Sequence, residues 1–249
     1  MTKFFLLAAG LGKRAWPLSL IEPKPLFPLD GTPLIKLILD QLAQKGVDQG
    51  FINLHHKAES IAEFLKGYDS ITFFHEANLS GSKILNKAAE FLEEDYLLII
   101  NGDVFLDIPL DCLIEKLDQS KSDGVLLVRE DKTKMYSSLK CEQDCYKGVE
   151  SYPSAGLMYA GVALLKNSII SRIYEQNFFQ TLGKYNFDTR VLIYEGLWLD
   201  IGDPRSYFQS NFLYKKHVNK NHDLNSLSEQ VLISPDSIVK HTIIWGNTR

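Results

Sequence analysis

The feature that most constrains this chain is Leu6-Leu7-Ala8-Ala9-Gly10-Leu11-Gly12-Lys13-Arg14, followed at a short distance by Glu22-Pro23-Lys24-Pro25. A short apolar run of this kind is a buried strand. It feeds a glycine turn that carries two cations, and a third cation is held between prolines. Pro17, Pro23, Pro25 and Pro28 forbid a long helix after the turn, because proline lacks the N–H and clashes with the preceding turn. Glycine lets backbone N–H groups approach oxygens that a side chain would block, so the whole stretch reads as a loop that wraps phosphates.

Two familiar glycine motifs fail on this sequence. Gly10-x-Gly12-x-x-Ala15 matches the dinucleotide pattern, but that motif must open a helix, and here Trp16-Pro17 follows. Gly12-Lys13 supplies the glycine-lysine pair of a Walker loop. Ala8, however, stands in place of its first glycine, and Arg14 in place of the Ser/Thr that holds Mg²⁺.

Downstream, apolar runs alternate with helical periodicity. Strands are expected over residues 4–9, Gly50–Leu54, Ile71–His75, 96–100, 124–128 and 157–165. Helices are expected over 32–45 (Thr32 as cap, Pro33 at the first helical position), 55–67 (Ile61, Phe64 and Leu65 on one face), 82–92, 109–117 and 205–216. A polar hairpin is expected over 140–149. This rhythm predicts an α/β fold with a doubly wound, mixed, mainly parallel sheet, whose ligands sit beyond the carboxyl ends of the strands.

With 249 residues and 45% apolar side chains, a sizeable core is available. A net charge of -4 with both signs interspersed argues against a nucleic-acid surface, and no apolar run is long enough to span a membrane. Residues 3–11 have some signal-peptide character, but the run is short and Lys13-Arg14 follow at once. Cys112, Cys141 and Cys145 are odd in number, and the C-x3-C pair has no second pair to complete a zinc set; reduced thiols in a cytoplasmic protein are expected. His55 and His56 are adjacent and point apart on a helix, so no shared metal is expected.

The chain resembles the sugar-1-phosphate nucleotidylyltransferases, whose pattern is L-A-A-G-x-G-x-R, then P-L and P-K-P. Ala8, Ala9, Gly10, Gly12, Arg14, Pro17, Leu18, Pro23, Lys24 and Pro25 carry the match, which continues into Pro28, Gly31, Pro33 and Leu34. Asn53-Leu54-His55-His56 resembles the strand-to-helix junction of bacterial uridylyl- and guanylyltransferases of this group, including mannose-1-phosphate guanylyltransferase and N-acetylmuramate-1-phosphate uridylyltransferase-like proteins. The resemblance covers about residues 3 to 215.

It implies a Rossmann-like nucleotidyltransferase fold and transfer of a nucleotidyl group from an NTP to a sugar 1-phosphate. Pyrophosphate is released and an NDP-sugar forms, for cell-envelope polysaccharide, with UTP or GTP favoured and Mg²⁺ as cofactor. Leu7, Ala8, Ala9, Gly10, Gly12, Lys13, Arg14, Glu76 and Gly81 are the implied nucleotide-binding positions. Arg14 grips the β- and γ-phosphates with its planar fork, and Lys24 meets the charge that develops at the α-phosphate. Asp103, in Asn101-Gly102-Asp103, and Asp200, in Trp198-Leu199-Asp200-Ile201-Gly202-Asp203-Pro204, are the implied Mg²⁺ ligands. Arg14, Lys24 and Asp103 form the catalytic set. Glu150 and Gly161 face the sugar. Asp203 departs from the usual Thr and is read as a helix cap.

The match frays in two places. Lys83 and Ile84 stand where small residues are expected, and Lys83 either contacts a phosphate or blocks the usual base pose. Ser151 replaces the Lys of the E-K-P element after Glu150. Cytidylyl transfer to a sugar phosphate or phosphocholine is the alternative within the class. A non-catalytic, nucleotide-binding regulatory subunit is the alternative outside it.

Residues 1–218 are expected to form the nucleotidyltransferase domain, and 219–249 a linker and a short hexapeptide-like segment. There Ile233, Ile238 and Ile243 fall five apart, which predicts a β-helix-like coil. So small an apolar set cannot be buried alone. It packs on the main domain or on a second copy, the latter giving a homo-oligomer.

Overall fold

Strand Thr2–Leu7 (β1) lies inside a nine-stranded sheet, with a neighbour on each side, because both of its faces are apolar. Phe4 and Leu6 join one core cluster, and Phe5 joins a second on the opposite face. Each of the three is at most 1% exposed, so residues 2–7 are a buried strand that ends before the glycine turn. Gly50–Leu54 (β2) and Tyr96–Asn101 (β4) flank it in parallel register, and Ile71–His75 (β3) pairs parallel with β2. Gly124–Asp131 (β5), Leu139–Glu142 (β6), Cys145–Val149 (β7), Gly156–Lys166 (β8) and Thr189–Ile193 (β9) complete the spatial order β3-β2-β1-β4-β8-β5-β9-β7-β6. Strand β8 runs antiparallel to both β4 and β5, so β5 points the same way as β1 and β4. The carboxyl ends of β1, β4 and β5 therefore share one edge of the sheet. This computed structural model describes residues 2–92, 96–150, 155–219, 226–227, 231–234, 236–240 and 242–246. Ser151 and most of the expected linker fall outside them.

Helix Leu34–Gln44 starts later than expected, because Thr32-Pro33 pairs antiparallel with Pro28-Leu29 across a turn with Gly31 at φ 84°. The helix expected over 55–67 shortens to Ala58–Phe64, opened by Lys57 in the left-handed region; Ile61 and Leu65 are buried but Phe64 is 37% exposed. Residues 82–92 break into a 3₁₀ turn (Gly81–Lys83), a helix (Ile84–Ala88) and a second 3₁₀ turn (Ala89–Phe91). The hairpin of β6 and β7 forms as expected. Strand β9 and helix Phe178–Lys184 were not legible in the sequence.

Two small elements position the site. Val104–Leu106 pairs antiparallel with Trp198–Asp200, and the Ile201 N–H donates to Asp103 O at 2.9 Å. This ribbon brings two aspartates nearly a hundred residues apart to the same edge. Asp203 then caps helix Pro204–Asn219 as expected, accepting from the N–H groups of Arg205 and Ser206 at 2.9 Å each.

At the far end Ser226–Leu227 pairs in parallel with Ile243–Ile244. Trp245 Nε1 donates to Tyr207 Oη at 2.9 Å, and its ring lies 5.2 Å from Phe27. This end of the chain thus packs on the main body. The spaced isoleucines do not share one buried face: Ile243 packs against the core, whereas Ile233 and Ile238 are exposed.

Candidate functional site

The first turn after β1 is shaped by Gly12, whose φ of 63° lies in the left-handed region. A Cβ there would come within 2.8 Å of the Ser19 side chain. Ser19 donates to Gly12 O at 2.8 Å and fixes the turn against Leu18–Ile21. Ala15 is buried and anchors the 3₁₀ turn Lys13–Ala15, leaving Lys13 and Arg14 exposed. Gly102 serves close approach as well: its N–H donates to Leu7 O at 2.9 Å, where an added Cβ would meet that oxygen at 2.6 Å.

Together these turns form a cleft of about 220 Å³ lined by Leu7, Ala8, Ala9, Gly10, Gly12, Lys24, Pro25, Asn101, Gly102 and Asp103. Lys24 is 8% exposed, and its Nζ lies 3.3 Å from Asp103 Oδ2. A nearly buried ammonium needs such a carboxylate to offset lost hydration.

Asp200 stands beside this pair. A Cβ at Gly202 would fall 2.8 Å from Asp200 Oδ1 and 3.1 Å from Arg14 Nη2, so the guanidinium and the carboxylate both cross over the same glycine. Burial pushes the Asp200 carboxyl above its ordinary value. The Tyr136 hydrogen bond opposes this, the Asp103 charge adds to it, and the Arg14 and Lys24 cations oppose it further. Lys24 thus pairs with Asp103, and Arg14 approaches Asp200 over Gly202. Two carboxylates in repulsion, with cations alongside, suit a hard divalent ion that takes one or two carboxylates plus phosphate oxygens and water. Among the described residues no group of three or more His, Cys, Asp or Glu side chains is set to hold a metal.

Two functional residues escaped the sequence reading. Tyr136 Oη donates to Asp200 Oδ2 at 2.6 Å, and its ring meets Trp198 edge-on at 5.5 Å. Burial and the Asp200 charge push the Tyr136 hydroxyl far above its usual value, so it stays a donor. Asn53 is buried; its Oδ1 accepts from the Ala8 N–H at 2.7 Å and its Nδ2 donates to Glu76 Oε1 at 2.7 Å. The motif Asn53-Leu54-His55-His56 was visible, but its purpose shows only in space. His55 Nδ1 lies 2.7 Å from Glu76 O and His56 Nε2 lies 3.0 Å from Ser19 O, so neither histidine is directed at a shared metal.

Glu76 sits behind the cleft rather than on its lining. Its Oε1 is held by Asn53, and its Oε2 accepts from the Ser80 N–H at 2.9 Å and from the Ser80 hydroxyl. Gly81 has φ 59°, and a Cβ there would strike Gln176 O at 2.3 Å; this glycine serves contact between two backbones. Ile84 is buried in the second core cluster, which explains why a small residue is unnecessary there, and Lys83 is exposed. Gly161, at φ 91° in an irregular stretch of β8, brings the backbone against Asn101 of the cleft, where a Cβ would lie 3.3 Å from that side chain. Glu150 is not brought into the group: it is exposed, with its carboxylate 3.7 Å from Lys140 Nζ.

The nucleotidyl transferase profile matches residues 3–139, which include the glycine turn, Arg14, Lys24 and Asp103. The chain belongs to the nucleotidyl transferase family. A provisionally named mannose-1-phosphate guanyltransferase of Sulfolobus acidocaldarius is 27% identical over 227 residues, covering 85% of this chain and 62% of the relative. The mannose-1-phosphate guanyltransferase of Candida albicans is 27% identical over 267 residues, covering 94% of this chain and 72% of the relative. The chain thus spans under two thirds of the length of the Sulfolobus protein. The crystal structure of HddC from Yersinia pseudotuberculosis superposes with a TM-score of 0.74 at 24% identity, over 86% of this chain and 100% of that one. The mixed, mainly parallel sheet is accordingly the nucleotidyltransferase fold. Among the described residues no helix is long and apolar enough to cross a membrane.

Proposed function

We propose that this nucleotidyltransferase moves a nucleotidyl group from an NTP to a sugar 1-phosphate, releasing pyrophosphate and forming an NDP-sugar. The observation that carries the reading is the pairing of Lys24 with Asp103 and the approach of Arg14 to Asp200 at one sheet edge. Nothing in folding requires two cations and two carboxylates to share that edge. The names of the curated relatives put GTP ahead of UTP as donor.

The backbone of residues 8–12 binds the triphosphate, and Arg14 orients its β- and γ-phosphates through a planar pair of N–H donors. Lys24 holds a positive charge at the α-phosphate, where negative charge shifts as pyrophosphate departs. Its pairing with Asp103 limits the motion of the ammonium. Asp103 and Asp200 would hold Mg²⁺, which supplies charge neutralisation to the phosphates when bound. Tyr136 orients Asp200. The acceptor phosphate is already ionised, so no protein nucleophile or base is needed; catalysis is positioning and charge stabilisation.

The test is direct. The protein is incubated with GTP, UTP, CTP or TTP against a panel of sugar 1-phosphates and phosphocholine in Mg²⁺, and pyrophosphate is followed. Release with a sugar 1-phosphate and one preferred NTP supports the reading. Release only with phosphocholine moves the assignment to that acceptor, and NTP binding without any release refutes turnover.

A further inference from the structure

The nucleotidyl transferase match ends at residue 139, and the proposed reaction leaves the last residues of the chain without a task. Trp245 nevertheless packs against the segment that carries Lys24. Lys24–Leu26 is a single 3₁₀ turn, closed by the Phe27 N–H donating to Lys24 O at 2.9 Å. Phe27 follows that turn directly and is fully buried. Its ring lies 5.0 Å from Tyr207 and 5.2 Å from Trp245, tilted to both, at spacings where aromatic pairs attract. Phe27 O accepts from the Leu34 N–H at 3.0 Å, so both backbone groups of this residue are engaged.

Helix Pro204–Asn219 links this segment to the Asp200 carboxylate. Tyr207 Oη donates to Pro28 O at 2.8 Å, and Asn211 Nδ2 donates to the same oxygen at 2.8 Å. Between them on the helix, the Ser210 hydroxyl donates to Asp200 O at 3.1 Å. The segments that bear Lys24 and Asp200 are thus pinned to one helix. Trp245 closes the arrangement, its Nε1 donating to Tyr207 Oη at 2.9 Å. Burial holds the Tyr207 hydroxyl above its usual value against the Trp245 and Asn211 hydrogen bonds, so it stays protonated and can donate to Pro28. Ile243 packs on the same core and pairs with Ser226, which fixes the approach of the indole two residues later.

We propose that Trp245 is a positioning residue for nucleotidyl transfer: through Phe27 and Tyr207 it fixes the Lys24 turn against the Asp200 segment. This rests on the transferase reading, in which Lys24 meets the charge that develops at the α-phosphate. Lys24 sits on a turn of three residues, so a shift of that turn carries the ammonium with it. A misplacement of about 1 Å in such a group costs on the order of 100-fold in rate. Removing the indole takes away one of the two rings that hold Phe27, together with the donor that meets Tyr207 Oη.

Full-length wild type, Trp245→Phe and Trp245→Ala test the proposal, each assayed where circular dichroism shows it folded, with Trp245→Leu in place of an alanine variant that does not fold. Trp245→Ala should lower kcat and kcat/KM together by roughly tenfold or more, because the lost interaction belongs to the transition state. The number of NTP sites by calorimetry should stay that of wild type, so that the loss is not one of folded enzyme. Trp245→Phe keeps a ring on Phe27 and should recover most of the rate. In a Lys24→Gln background, Trp245→Ala should cost under about twofold more, since the two residues act along one path. Amide exchange at Phe27 and Leu34 should quicken in Trp245→Ala while β1 keeps its protection. Wild-type kcat in folded Trp245→Ala, a drop in NTP sites that accounts for the rate loss, or the same tenfold loss in the Lys24→Gln background overturns the proposal and leaves the transferase reading intact. No pyrophosphate release by the wild type would sink the transferase reading; quickened exchange at Phe27 in Trp245→Ala would then still establish the link to the Lys24 turn, and unchanged exchange would sink both.

Discussion

Replacing Asn53 with Leu, a side chain of similar shape without polar atoms, should destabilise the fold and loosen the phosphate loop together. Asn53 is 5% exposed and makes two hydrogen bonds of 2.7 Å, one from the Ala8 N–H and one to Glu76. The Leu variant strands both partners in the interior. A buried group left unsatisfied costs about 1–3 kcal/mol, and more when charged. Ser80 still holds the other oxygen of Glu76, which moderates the second loss. The expected total is about 2–4 kcal/mol, or a melting-temperature drop of roughly 5–15 °C for a domain of this size. A double-mutant cycle with Glu76→Leu isolates the link: the two costs should fall short of additive by about 1 kcal/mol or more. The KM for NTP should rise in Asn53→Leu, because Ala8 lines the cleft. Calorimetric melting and initial-rate kinetics read the two effects. A loss under about 1 kcal/mol, or strict additivity, would refute the claim that this pair holds the loop.

Tyr136→Phe keeps the ring on Trp198 and removes only the hydroxyl; turnover should fall roughly 10- to 100-fold, as for other partners of metal-holding carboxylates, while the melting temperature moves little. Unchanged turnover would make Tyr136 a packing residue. Gly81→Ala forces a Cβ to within 2.3 Å of Gln176 O at φ 59°, so stability should fall by about 2–5 kcal/mol, and equal melting curves would contradict the close backbone approach. Asp131 gives a pH signature. Burial pushes its carboxyl up, but the Thr133 hydroxyl and the N–H groups of Tyr136, Thr133 and Met135 outweigh it and hold it below its ordinary value. A lowered folded-state value means that its stabilisation is complete above the unfolded carboxylate value of about 4 and is lost as pH falls through the folded value. Asp131→Asn should flatten the acid limb of a melting-temperature profile; an unaltered limb counts against this role.

What the sequence disclosed follows from how locally each feature is encoded. The strands β1 to β4 were legible because apolar runs with glycine and proline stops encode them within a few residues. The cleft residues were legible because they cluster at the ends of two such strands. Strand β9 was missed because its apolar run is short and Arg190, between the buried Thr189 and Val191, is bound to Asp144 and Asp188 on neighbouring segments. Glu76 and Gly81, expected to meet the nucleotide, instead hold Asn53 and approach Gln176, partners distant in sequence and known only from packing. Tyr136 depends on Asp200, 64 residues away, and had no local signature. Ile233 and Ile238 misled because even spacing alone does not supply a surface to cover them.

The most direct test of the central claim is pyrophosphate release by Asp103→Asn with Mg²⁺ and the preferred NTP and sugar 1-phosphate, alongside a circular-dichroism melt. The account predicts turnover lower by orders of magnitude in a protein that remains folded. A folded variant that turns over at close to the wild-type rate would contradict the convergence of Arg14, Lys24, Asp103 and Asp200 on one bound nucleotide.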